Sequence, residues 1–409
     1  MREKSTSLSL ISETIMKGMC NMAFGRKNHV NLDPLAYNIC LLGESKVGKT
    51  TLIKEVCEKL AGDEGYLFLE CGMERGADAI EGINYVNCPE WNMDFDELTN
   101  SAGFADVCED IIENKTSEYP NLKVVIIDTY DHLITIAEDE SIRLFNKDCR
   151  ESGHPEKCVK TVNGAWGGFG RGEKKAMELM FDMIGELKKV GVSTIVIGHV
   201  KTKDVSDVVS GESYQILTSD QQQNYFNALK KNLHFLGLAY IDRELVKEKT
   251  GRKNVVTKKD EVVTKVSGET RKIKFRDDSY AVDSGSRFAD IVPEIDMNAD
   301  EFISALTDAI MAEQSKSGVS IEETKKAQEK VADAEKKRVA KHEEENKVKK
   351  ELDPIIAEIV DFLVKSRKAG DNDALTAVTA ACKEMGYGAD PRNITDIEDA
   401  KKILALTLK

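Results

Sequence analysis

Gly43-Glu44-Ser45-Lys46-Val47-Gly48-Lys49-Thr50 decides the fold, because it matches G-x-x-x-x-G-K-[ST], the loop that cradles nucleotide phosphates. Its flanks suit that reading. Before it, Tyr37-Asn38-Ile39-Cys40-Leu41-Leu42 is a short apolar run of the kind that forms a buried parallel strand, and residues 51–60 after it read as a helix. Gly43 and Gly48 let the backbone curl so that successive N–H groups and the helix N-terminus face a phosphate. Lys49 adds a cation and Thr50 a hydroxyl suited to Mg²⁺. Gly43, Glu44, Ser45, Lys46, Val47, Gly48, Lys49, Thr50 and Thr51 are therefore read as a site for ATP and Mg²⁺.

Outward from the loop, apolar runs alternate with helical segments, which predicts an α/β fold with a mostly parallel sheet. Strands are expected at 66–69, 122–127, 194–197 and 235–241. A helix is expected over 174–190, where Met177, Met180, Phe181, Ile184 and Leu187 repeat at helical spacing as core. Residues 246–275 are β-rich and basic, with Thr250-Gly251 and Ser267-Gly268 as turn signals, and predict a hairpin at the sheet edge. Asp128 ends the third apolar run, the Walker B arrangement. A carboxylate there holds Mg²⁺ beside Thr50 if its strand adjoins that of the phosphate loop; the plain alternative is a strand-terminal Asp making a turn.

Length and composition, 409 residues with 41% hydrophobic content, supply a sizeable core plus one or two smaller units. No stretch approaches a membrane span, and the N-terminus lacks the apolar core of a secretory signal, so a cytoplasmic protein with no membrane partner is expected. Nine cysteines without a C-x-x-C pair fit reduced thiols better than disulfides. The formal charge of −14 argues against an indiscriminate polycation but leaves room for a local basic surface.

With these motifs the chain resembles the RecA-like P-loop ATPases, and most closely the AAA-type phage nucleotide-binding proteins regarded as single-strand annealing recombinases. The likeness covers about residues 32–309. Its anchors are Gly43 to Thr50, residues 124–128, Ile195-Val196-Ile197-Gly198-His199-Val200-Lys201, and Tyr280-Ala281-Val282-Asp283-Ser284-Gly285-Ser286-Arg287-Phe288. The resemblance implies a glutamate after the second strand that orients the attacking water. Glu70 and Glu74 are the candidates, with Glu74 favoured. It implies that His199 senses the γ-phosphate and relays to a DNA-binding loop, although a lone His is more often structural. Lys201 and Lys203 open a polar segment, 202–223, that resembles a second mobile DNA-binding loop; its alternative is a solvated crossover. Arg287 is either an arginine finger on a neighbour's nucleotide or a structural salt bridge.

Residues 160–172 combine glycines with Trp166, Phe169, Lys160 and Arg171. Flexible backbone can follow a single strand while an aromatic stacks on a base and cations meet phosphates. The alternative is a loop whose aromatics anchor it to the core. Cys149, His154 and Cys158 lack a fourth ligand, so no zinc is expected. In 246–276, eleven Lys and Arg oppose four Asp and Glu, a positive patch that favours nucleic acid.

The expected domains are an N-terminal segment 1–31, a RecA-like core 32–311, a charged helical linker 312–352, and a small helical module 353–409 opened by Asp353-Pro354. The last helix of that module begins at a capping box, Thr395-Asp396-Ile397-Glu398. That module is a candidate contact for a single-strand-binding or replication partner. Three functions fit these features: an ATP-hydrolysing homo-oligomer, filament or ring, that binds single-stranded DNA for annealing or strand exchange; a nucleotide-gated scaffold that does not hydrolyse; and a helicase or its loader.

Overall fold

The computed structural model describes residues 29–72, 76–206, 212–253, 260–276, 284–369 and 372–407. Glu74, Lys258, Lys259, residues 280–283 and residues 1–28 of the expected N-terminal segment lie outside the described residues. In chain order the elements are β1 (Ile39–Gly43), α1 (Lys49–Ala61), β2 (Tyr66–Cys71), β3 (Tyr85–Cys88), α2 (Phe104–Glu113), β4 (Val124–Asp128), α3 (Tyr130–Glu151), α4 (Arg171–Lys189), β5 (Ser193–Ser206) and β6 (Ser213–Ser219). There follow α5 (Gln223–Asn232), β7 (Phe235–Lys253), β8 (Asp260–Lys274), β9 (Gly285–Ser286), β10 (Glu294–Asp296), α6 (Ala299–Ser315), α7 (Ile321–Ala369), α8 (Asn372–Glu384) and α9 (Ile397–Thr407).

The sheet runs β10-β8-β7-β1-β5-β4-β2-β3, with β6 on β5 and β9 on β7. Strands β7, β1, β5, β4, β2 and β3 are mutually parallel. Every residue of β1 and β4 is buried, the mark of strands covered on both faces. Side chains alternate across the sheet. Cys40, Leu42, Leu69, Val125, Ile127 and Val196 pack under α2, α3, α4 and α5. Ile39, Leu41, Phe68, Val124, Ile126 and Ile195 pack under α1 and α6.

Four expectations are corrected here. The strand carrying Asp128 does not adjoin the phosphate-loop strand: β5 lies between them. In segment 202–223, of which 207–211 lie outside the described residues, β5 runs on to Ser206 and pairs antiparallel with β6 from Val200↔Ser219 to Ser206↔Ser213, so the described parts are a strand pair where a loop or crossover was expected. The helix does not break at Asp353-Pro354, where a new module was expected to open. Helix α7 continues through Pro354 to Ala369, where Leu352 and Ile359 join α8 and α9 in a small core of their own. That packing offsets the roughly 3 kcal/mol a helix-interior proline costs. Finally, the last helix is capped one residue later than expected, by Asp396, whose carboxylate accepts from the Asp399 N–H at 3.0 Å.

Helix α7 is latched to the core by Glu343, only 4% exposed, which accepts from the Thr116 N–H at 2.9 Å, from the Thr116 and Ser117 hydroxyls, and from Lys347 at 3.0 Å. Burial works against this carboxylate, but the bonds from Thr116, Ser117 and Lys347 prevail and pull it down to about 2. Its folded value lies below the ordinary 4.5, so the contribution is present above about pH 4.5 and fades as pH falls toward 2. Glu343→Ala is expected to lower stability by about 1.5–3 kcal/mol near neutral pH, and by progressively less on acidification, as read by denaturant melts along a pH series.

Candidate active site

At the carboxyl end of β1 the chain turns through Lys46 (φ 63°) and Gly48 (φ 104°) into α1. A Cβ on Gly43 would lie 2.8 Å from the Ala239 carbonyl oxygen, so the loop rests on β7 with room only for glycine. Lys49, 6% exposed, donates from Nζ to the carbonyls of Gly43 (3.0 Å) and Glu44 (2.9 Å). Ser45 and Thr51 are exposed and Val47 is buried beneath the loop.

Thr50 spans the intervening strand: from the first turn of α1 its hydroxyl donates to Asp128 Oδ2 at 2.7 Å. Asp128 is itself buried and lies in register with Glu70 of β2. Glu70 is 2% exposed. Its Oε1 accepts from the Ala77 N–H at 2.5 Å, and its Oε2 has no hydrogen-bond partner among the described residues. Burial pushes this carboxyl up to about 7, the charge of Asp128 adding to the shift and the Ala77 N–H opposing it. Gly76 lies over both groups, since a Cβ there would be 3.5 Å from Glu70 Oε1 and 3.7 Å from Thr50 Oγ1. A hydroxyl bonded to a buried carboxylate, with an unsatisfied carboxyl oxygen nearby, is a hard-oxygen set that fits Mg²⁺ and its waters.

Strand β5 brings His199 opposite Gly43. Its backbone N–H and Nδ1 lie 3.0 and 3.2 Å from Asp131 Oδ2. Burial raises the Asp131 carboxyl, but hydrogen bonds from His199 and Gln221 outweigh it and hold the group below the ordinary value. Beyond His199 the strand enters the β5–β6 arm. There Lys201 donates to the Asp220 carbonyl (2.7 Å) and Lys203 to Gln223 (3.2 Å).

In the glycine-rich turn, Trp166 and Phe169 take positive φ but have opposite surroundings. The Trp166 indole donates toward the Ser141 carbonyl and hydroxyl (3.3 and 3.2 Å) and packs 5.6 Å from Phe145. It anchors the turn to α3. Phe169 is 98% exposed, Lys160 and Arg171 are exposed, and Arg171 donates to the Trp166 carbonyl. Asn224 of α5 binds Glu173 of α4 at 2.5 Å, joining this turn to the foot of the arm.

Arg287 is not brought to this site. It donates to the Leu233 carbonyl at 2.8 Å and to that of Lys231, at the opposite end of the sheet. The positive excess of the hairpin is also smaller than sequence implies, because Lys272 pairs with Glu294 (3.0 Å) and Asp242 (3.7 Å). Two hairpin arginines instead flank the phosphate loop: Arg243 lies 4.0 Å from the Glu44 carboxylate, and Arg271 Nη1 would be 3.3 Å from a Cβ on Gly48. Sequence reasoning counted Arg271 only as part of the basic patch. Its neighbourhood follows from β7 lying next to β1, which no local motif reveals.

A family model described as an AAA domain matches residues 35–268, more than half of the chain, including the phosphate loop and strands β1 to β7. No curated protein matches the chain. Among the described residues no helix is long and apolar enough to cross a membrane.

Proposed function

The chain belongs to the AAA domain family, and from that premise we propose that it hydrolyses ATP and uses the nucleotide state to control a face that binds single-stranded DNA, for annealing or strand exchange as a homo-oligomer. The observation that carries this reading is the path from loop to arm: His199 stands opposite Gly43 on the strand that continues into Lys201 and Lys203.

In this reading the loop N–H groups and Lys49 hold the β- and γ-phosphates. Thr50 and Asp128 hold Mg²⁺, which when bound offsets the charge of the phosphates. Glu70 orients the attacking water and takes its proton, the γ-phosphorus gains that oxygen, and the bond to the β–γ bridging oxygen breaks to give ADP and phosphate. A carboxyl held near 7 is matched to such a role.

Loss of the γ-phosphate alters what His199 meets, and β5 carries the change to the arm. Phe169 is the base-stacking group, whereas Trp166 keeps the turn in shape. Phe169→Ala is expected to weaken single-strand binding by about 1–3 kcal/mol without changing the melting temperature, the worth of one stacked base. Trp166→Ala is expected to lower the melting temperature as well. Fluorescence anisotropy on labelled oligonucleotides, run beside thermal melts, checks both; unchanged affinity in Phe169→Ala would remove this turn from the DNA face.

A further inference from the structure

We propose that copies of the chain join head to tail, the apolar tip of the loop after β3 seating in a cavity between α4 and α5 of the next copy. The proposal deepens the oligomeric part of the reading above and uses none of its chemistry.

The tip is built to present its side chains. Asp96 and Ser101 exchange backbone hydrogen bonds at 2.8 and 3.1 Å. The Asp96 carboxylate then accepts from the Leu98 N–H (3.0 Å) and the Thr99 hydroxyl (2.7 Å). On this braced turn Phe95 is 63% and Leu98 97% exposed. A single exposed apolar side chain needs no explanation, but two large ones on a tip fixed by four hydrogen bonds form a preorganised anchor whose ordering cost is already met. Asp94 and Glu97 beside them are exposed acids, so nucleic acid and anionic lipid are poor partners.

The matching receptor is on the same chain. A cavity of about 250 Å³ is lined by Phe181, Ile184, Leu229 and Leu233, with Gly185 and Lys188 at its edge. It is smaller than the roughly 300–1,000 Å³ of sites that enclose a drug-sized ligand, and suits an inserted side chain. Among the described residues, the one charged residue on its lining is the cation Lys188, and Arg287 bonds the carbonyl of the lining residue Leu233. The acidic tip and these cations are complementary, which favours this pairing over wrong partners.

The tip follows the carboxyl end of β3, whereas the cavity reaches Asn38 and Thr194 at the amino ends of β1 and β5. Lying at opposite ends of parallel strands, they pair between copies. Such a heterologous contact generates a ring or a filament.

Sedimentation velocity on the full chain without nucleotide tests this, using wild type, Phe95→Asp with Leu98→Asp, and Gly185→Leu. A Cβ on Gly185 meets no atom within 4 Å, so leucine enters the cavity without displacing the backbone. Wild type is expected to form oligomers and each variant to be monomeric. An equimolar mixture of the two variants is expected to give a one-to-one dimer and nothing larger, because one retains the cavity and the other the tip. A monomeric wild type, a variant that still assembles, or a mixture that stays monomeric would overturn the proposal. Binding of a fluorescent ATP analogue is expected to be the same in all three proteins, so loss of assembly with nucleotide binding intact is separable from failure of the ATPase reading.

Discussion

Glu70→Gln is expected to bind ATP as tightly as the wild type and to hydrolyse it about 10²–10⁴-fold more slowly, the contribution of a positioned general base. Glutamine keeps the shape and can still accept from the Ala77 N–H, so the loop over Thr50 stays in place while the proton acceptor is lost. Because burial, aided by Asp128, raises Glu70 to about 7, the wild-type rate should climb as pH rises through that value and level off above it; the variant should lack that step. Stability moves the opposite way. A folded value above the ordinary 4.5 means that the native state holds the proton more tightly, so ionising Glu70 lowers stability progressively between about pH 4.5 and 7. Glu70→Gln should therefore melt higher than wild type at about pH 8, with the difference shrinking on acidification. Higher stability with lower activity is what a strained catalytic group gives. Steady-state phosphate release and thermal melts over one pH series read both effects.

Lys49→Ala is expected to lose ATP binding and to cost about 10²–10³-fold in hydrolysis, as removal of one preorganised electrostatic donor does. The ammonium is buried at the mouth of the loop with two loop carbonyls as partners, so it is already positioned where phosphate charge arrives. Its loss leaves the buried Gly43 carbonyl and the half-buried Glu44 carbonyl without this donor, which costs about 1–3 kcal/mol. A cooperative melt at a lower temperature, with no fluorescent-ATP signal, is therefore the expected pair of results. Strong retention of ATP would mean that Arg243 and Arg271 carry the phosphate contact instead.

The parts of this fold legible in sequence are those whose signals are local. The loop, β1, α1 and the amphipathic α4 announce themselves by glycine spacing and apolar period. The spatial order of strands does not: β5 enters between β1 and β4 although it follows both in sequence, and only the register shows that Thr50 reaches Asp128 across it. Strand β6 was hidden because Ser213–Ser219 is short, begins with three exposed residues, and breaks its alternation where Ile216 and Leu217 adjoin. Strand β3 is four residues long and contains Asn87.

Pro354 signalled a break, yet the apolar residues on either side of it pack with α8 and α9 and carry the helix through. At the site, Asp128 and Thr50 were readable from motif spacing. Glu70 was readable only as a strand-end acid, since its elevated value depends on burial and on the Ala77 turn. For Trp166, composition could not choose between stacking and anchoring. Ser141 and Phe145, more than a turn-length away in sequence, engage its indole.

The most direct measurement of the central claim is anisotropy of labelled single-stranded DNA titrated with the protein in Mg²⁺ alone, with ADP, and with a nonhydrolysable ATP analogue, comparing wild type with Lys49→Ala. Tight, salt-sensitive binding that requires the analogue and is absent in Lys49→Ala is the predicted result. Binding that is absent in every state, or indifferent to nucleotide, would contradict the account.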